Sequence, residues 1–248
     1  MSLPFSIGTP FIELQQVEST NNYATGVIHA GMAQHGTVVF AHHQTRGRGQ
    51  RKKQWESESK KNIAVSIVVQ PQVLMLSQSF FLSMAIAVGT QRFFNSYAAG
   101  ETTIKWPNDI YWRDRKAAGI LIENIIQGTE WKWSVVGVGV NVNQTRFENV
   151  TTKAASLKQI TGKEFEPLQL AKELCSFLQT AYHELTTCRQ ELIAAYRNSL
   201  YKLNEVVMFK KDSRIFSAVV KGVTDSGHLV LKSSFEETFE VGEIEWVI

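Results

Sequence analysis

The residues best suited to chemistry lie in four short clusters. The most charged is Gln44 to Trp55, which reads Gln-Thr-Arg-Gly-Arg-Gly-Gln-Arg-Lys-Lys-Gln-Trp. Gly47 and Gly49 permit close approaches that a side chain would block. Successive backbone N–H groups in such a loop can form a nest for an anion. Arg48, Arg51, Lys52 and Lys53 add cationic donors suited to phosphate or carboxylate, and Trp55 offers a flat face for stacking a base. The plain alternative is a solvated basic loop, or a nonspecific RNA contact. For the loop alone the readings are evenly matched. The Gly-x4-Gly-Lys-Ser/Thr phosphate loop is absent.

The second cluster is Lys105-Trp106-Pro107-Asn108-Asp109, followed by Lys116. Pro107 sets a turn just after a strand. An amide and a carboxylate at that strand end, Asn108 and Asp109, could hold Mg²⁺ or a ribose; they could equally make an Asx turn. Lys116 heads an apolar run and matters only if it faces the same cleft as the basic loop. In Gly137-Val138-Gly139-Val140-Asn141-Val142-Asn143 the alternate glycines leave one strand face bare, so a flat ligand could lie against the backbone. Asn141 continues that face by the two-residue period. Close packing of a helix explains the glycines as well. Ser19-Thr20-Asn21 could cap a helix, or lend its spare N–H donors to a polar ligand.

These clusters need elements to position them. The pattern predicts a helix over residues 20–34 and a β-branched strand over 37–44. A second strand follows over 63–69, then a helix over 77–97 capped by Ser77. Strands follow over 103–106, 116–126 and 131–142. Residues 167–185 form an amphipathic helix with Ala171, Leu174, Cys175, Leu178, Ala181, Tyr182 and Leu185 on one face. A last helix covers about 188–200. From Asn204 the texture changes to five short strands separated by polar turns, the pattern of a small barrel. The division expected is 1–203 and 204–248.

Of the 248 residues, 44% are hydrophobic and 20% charged, which rules out disorder as the main state. Two cysteines, Cys175 and Cys188, cannot build a disulfide framework and read as reduced thiols of a cytosolic protein. The amino terminus has no secretory pattern, and the longest apolar run, residues 80–90, is too short for a bilayer. The net charge of +3 says little, but residues 46–61 carry seven basic and two acidic side chains. His42 and His43 are adjacent in a strand, point oppositely and cannot share one metal.

Taken together and in this order, the motifs resemble the biotin protein ligases. Ser-Thr-Asn, Gln-Thr-x-Gly-Arg-Gly with its later tryptophan, Lys-Trp-Pro-Asn-Asp with its later lysine, and Gly-x-Gly-Val-Asn-x-Asn all match. The resemblance implies an α+β fold, a mixed β-sheet with helices on one side followed by a small SH3-like β-barrel. It implies that biotin and ATP are joined as biotinyl-5′-AMP with Mg²⁺. The biotinyl group then passes to one lysine of a biotin carboxyl carrier domain. By matched position, Ser19, Thr20, Asn21 and Gln44 bind the ureido ring, and Gly49 and Gln50 also bind biotin. Arg48 and Lys116 face the carboxylate and α-phosphate as catalytic groups. Gly137 and Gly139 floor the cleft. Arg51, Lys53, Trp55, Asn108, Asp109 and Asn141 serve the nucleotide, with Asp109 and Asn141 on the metal.

Some such ligases carry an amino-terminal DNA-binding domain. Eighteen residues precede Ser19 here, so the expectation is a cytoplasmic ligase, monomer or homodimer, without repressor activity, specific DNA or membrane. The chain departs from a common pattern at Gln50, where many such ligases carry an arginine. A glutamine there donates hydrogen bonds but brings no charge. Two rival readings stand. A lipoate ligase or octanoyltransferase shares the fold, though the latter would want a reactive cysteine. An RNA-binding protein would use only the basic loop.

Overall fold

The computed structural model describes residues 6–71, 73–147 and 153–247, apart from the Lys52 side chain. Seven strands make the first sheet: β1 (Phe11–Leu14), β2 (Val38–Ala41), β3 (Ile63–Val69), β4 (Thr102–Lys105), β5 (Asp109–Trp112), β6 (Arg115–Gln127) and β7 (Glu130–Val140). Their order is β1-β2-β3-β7-β6-β5-β4. β1 and β2 run parallel and all other neighbours antiparallel, so the sheet is mixed, as expected. Among the described residues five α-helices accompany the strands: α1 (Thr20–His29), α2 (Ser79–Ala98), α3 (Leu157–Thr161), α4 (Pro167–Thr187) and α5 (Arg189–Asn198).

Strand alternation gives the sheet two faces. Val38, Phe40, Ile67, Val136, Val138 and Val140 join the main core with Phe93, Leu174, Leu178 and Tyr196 from α2, α4 and α5. The opposite face, at Val39, Val68 and Val135, is closed by Ala24 of α1. The expectation of helices on one side is therefore corrected: α1 packs on the other face, beside the basic loop. The buried stripe of α4 is the one its spacing predicts, Cys175 included. Burial pushes the Cys175 thiol up to about 12, which leaves it an inert core group.

Several boundaries differ from the pattern. The first helix ends at His29, not at residue 34, because the N–H groups of Gly31 and Met32 fold back onto the carbonyls of Ile28 and Val27. The long helix begins at Ser79. Ser77 lies in a preceding 3-10 turn, where the Gln78 side chain accepts the Met75 N–H. β1, β5 and α3 are three short elements that periodicity did not resolve.

The last five strands are β8 (Val206–Lys211), β9 (Arg214–Val223), β10 (Leu229–Lys232), β11 (Glu236–Phe239) and β12 (Glu245–Val247). They form an antiparallel sheet ordered β11-β10-β9-β8-β12, as expected of an SH3-like unit. Phe209 packs on Trp246 at 4.8 Å and on Phe216 at 6.0 Å between ring centres. Residue 248, the expected end of the second unit, and residues 1–5, the start of the amino terminus read above as lacking a secretory pattern, lie outside the described residues. The two sheets share one continuous core. Trp106 Nε1 donates to the Gly227 carbonyl at 2.8 Å, and Arg197 Nε to the Val223 carbonyl at 2.9 Å. Among the described residues no helix is long and apolar enough to cross a membrane.

Candidate active site

The candidate residues gather on the α1 side of the sheet, along β3, β7 and β6. Register places Gly137 opposite Ser66 and Leu121, and Gly139 opposite Ala64 and Gly119. The floor is bare for a steric reason. A Cβ at Gly137 would fall on Asn21 Oδ1, and a Cβ at Gly139 would fall inside the Trp55 indole. The close approach foreseen for a flat group is made here by Trp55, which also lies against Gly119. The Trp55 indole N–H is buried without a hydrogen-bond partner.

One end of the cleft is lined by hydroxyls and amides that are tightly bonded. Ser19, Thr20 and Asn21 are buried at the start of α1, and the Ser19 side chain makes no capping bond. Gln44 Oε1 instead accepts both the Thr20 backbone N–H at 2.8 Å and the Thr20 hydroxyl at 3.0 Å. Ser66 Oγ lies 2.6 Å from Asn21 Oδ1 and 2.8 Å from Thr20 Oγ1. Ser66 carried a detectable signal, a hydroxyl inside the apolar run Ile-Ala-Val-Ser-Ile-Val-Val, and sequence reasoning passed over it.

The other end is ionic. Lys116 Nζ pairs with Asp109 Oδ1 at 2.7 Å and sits 5.7 Å from the centre of a Trp55 ring. Lys105 lies buried behind them, with Nζ 3.2 Å from the Tyr111 hydroxyl. It also sits over the rings of Tyr111 at 4.8 Å and Trp246 at 5.4 Å. Burial lowers its pKa to about 8; the field of Asp109 opposes that shift, and Lys116 and Lys53 add to it. A buried amine with a perturbed pKa beside a cleft is the kind of group active sites use, yet the sequence reading gave Lys105 no role.

Not every predicted residue joins these ends. Arg48 does not meet Lys116. Its guanidinium grips Glu123 with NH2–Oε1 at 2.6 Å and NH1–Oε2 at 3.0 Å, and donates to Asn22 Oδ1 at 2.8 Å. Glu123 lies about 13 Å along β6 from Gly119, at roughly 3.3 Å per residue, so the Arg48–Glu123 ion pair flanks the hydroxyl–amide end. Gly49 and Gln50 lie in a hairpin-like turn closed by Gly49 N–H to the Lys53 carbonyl at 2.8 Å. Arg51 has a left-handed backbone, φ 54°, and its guanidinium rests against Gly242 in the turn between β11 and β12. The Asn108 amide bonds to the Ile120 carbonyl. Asn141 donates to the carbonyls of Ala155 at 3.1 Å and Lys116 at 3.3 Å. Both amide nitrogens therefore hold backbone, leaving only oxygen for a cation. Among the described residues no group of three His, Cys, Asp or Glu side chains could cage a metal.

Residues 13–141, just over half of the chain, match the model of the biotin/lipoate A/B protein ligase family. The chain belongs to that family. It is 28% identical over 220 residues to the biotin–[acetyl-CoA-carboxylase] ligase of Mycobacterium tuberculosis, covering 87% of this chain and 80% of that protein. It is 29% identical over 158 residues to the bifunctional ligase/repressor BirA of Bacillus spizizenii, covering 62% of this chain and 48% of that protein. The chain thus spans about half the length of that relative. In fold it is similar to the biotin protein ligase from Aquifex aeolicus in complex with biotin and ATP. There the TM-score is 0.79 at 21% identity, covering 96% of this chain and 98% of that one.

Proposed function

We propose that the chain is an ATP-dependent biotin protein ligase working in the cytoplasm. It joins biotin to AMP and passes the biotinyl group to a lysine of a biotin carboxyl carrier domain. Residues 1–203 form the catalytic unit and 204–248 the SH3-like unit. The observation that carries this reading is the run of Gly119, Gly137 and Gly139, without side chains of its own and overlain by Asn21 and Trp55, between a hydroxyl–amide end and the Lys116–Asp109 end. A ureido ring has N–H donors and a carbonyl acceptor, which suit Ser19, Thr20, Asn21 and Gln44. A carboxylate and a triphosphate need positive charge, which Lys116, Lys105 and Lys53 supply.

In the first step a biotin carboxylate oxygen attacks the α-phosphorus, and the bond to the β-phosphate breaks to release pyrophosphate. Two anions must meet, so the work of the site is alignment and charge neutralisation. Lys116 is placed to neutralise, with Asp109 holding its ammonium in the cleft. In the second step the acceptor amine attacks the acyl carbon and AMP leaves, so no protein nucleophile is required. Mg²⁺ is commonly held by one or two carboxylates plus substrate phosphates. Asp109, with Asn141 Oδ1, fits that donor set, and the ion would offset triphosphate charge when bound.

The test is pyrophosphate release with ATP and Mg²⁺, comparing biotin with lipoate, followed by mass spectrometry of a carrier domain. Release with biotin and a biotinyl mass on one lysine support the proposal. Release with lipoate alone would replace it with the lipoate reading.

A further inference from the structure

Glu123 has no place in the reading above, yet three hydrogen bonds converge on it. Its carboxylate accepts two from Arg48 of the loop and one from Asn21 Nδ2 of α1, the last at 2.8 Å. Glu123 is on the cleft face of β6, in step with Gly119 and Leu121. From it a chain of polar contacts runs through Asn21, Ser66 and Thr20 to Gln44.

The direction of this chain follows from elementary donor counting. An ionised carboxylate only accepts, so the Asn21 amide must turn its NH2 toward Glu123. Its carbonyl oxygen is then forced the other way, toward the Ser66 hydroxyl and the floor at Gly137. Replacing Glu123 with a neutral side chain removes the charged acceptor that holds this NH2 and leaves the longer contact of Asn21 Nδ2 to the Leu121 carbonyl, at 3.4 Å, as the remaining restraint on the orientation. The bidentate grip on Arg48 meanwhile ties the loop to β6 next to the same asparagine.

We propose that Glu123 is a positioning and specificity-determining residue. It orients Asn21 so that an acceptor oxygen, not an NH2 group, is presented to a ligand N–H at the hydroxyl–amide end of the cleft. This inference rests on the biotin reading, because a cyclic urea supplies such an N–H and a dithiolane does not. Glu123 acts through Asn21 and does not touch the reacting atoms.

The test uses the full chain with Glu123→Gln and Glu123→Leu, thermal melting to confirm folding, and calorimetric titration with biotin and with biotin methylated at one ureido nitrogen or the other. For the unsubstituted protein, methylation at the nitrogen facing Asn21 should weaken binding about tenfold or more. In both variants biotin should bind about tenfold more weakly, and that methylation penalty should shrink to about threefold or less. The KM for biotin should rise, while kcat at saturating biotin and the KM for ATP stay within about twofold. A purely structural role would lower affinity for biotin and its methylated forms alike and keep the penalty, which overturns the proposal. Variant affinities within threefold of the unsubstituted protein overturn it too. If the unsubstituted protein binds no biotin, the ligase reading itself fails, a result distinct from either.

Discussion

Lys116 and Lys105 are two ammonium groups in one corner, and their surroundings assign them different behaviour. Lys116 is partly exposed and paired with Asp109 at 2.7 Å, ready to exchange that carboxylate for a phosphate. Replacing it with alanine should remove roughly 3 kcal/mol or more of transition-state stabilisation, about 100-fold in rate, and leave the fold intact. Pyrophosphate release measures this; a loss under threefold would show that Lys116 is not the neutralising group. Lys105 is buried, and its lowered pKa is chiefly a desolvation effect. The folded protein gives up this proton near pH 8, while the unfolded chain keeps it to about 10.5. Between those values the unfolded state binds more protons, so stability rises with pH. Below pH 8 the burial cost is present in full. Lys105→Met should therefore melt higher than the unsubstituted protein at pH 7, with the advantage fading as pH approaches 10.5. Melting curves across pH 7 to 10.5 test the sign.

At the scale of elements, β7 shows how far the sequence could be read. Its alternate glycines announced a bare face, and the structure has one. What covers it was not legible, because the contact is between Gly139 and Trp55, residues far apart in the chain. Gly139→Val should displace the indole and block the cleft, abolishing biotin binding by calorimetry while the far-ultraviolet spectrum is unchanged. Binding within threefold would show that the floor is not where biotin lies. Of the long elements, α4 was readable since burial on one face dictates its spacing, and β3 since burial on both faces makes it a continuous apolar run. β1 and β5, four residues each, were not, because they are too short for a period and exist by pairing with β2 and with β4 and β6. The contact of Arg48 with Glu123 was not legible for a similar reason: the two lie 75 positions apart, and only folding brings them together.

At the scale of the molecule, the second sheet is tied into the first through Gly227. Its carbonyl takes the Trp106 indole N–H, its φ is +91°, and a Cβ there would meet the Phe80 ring. Gly227→Val combines backbone strain with overpacking, a loss of about 2 kcal/mol, or about 4–8 °C in Tm for a chain of this size. Both sheets should melt in one transition, seen by tryptophan fluorescence and circular dichroism together. Two separated transitions would contradict the shared core. The tie at Trp106 also bears on how the protein ages. Trp106 adjoins Pro107, Asn108 and Asp109, so a second sheet that loosens drags on the turn that shapes the ionic end. No half-damaged yet working form is then available. On prolonged warming, the half-life of catalysis should equal the half-life of the native fold, and a preparation would expire all at once, molecule by molecule, without a gradual dulling of each one.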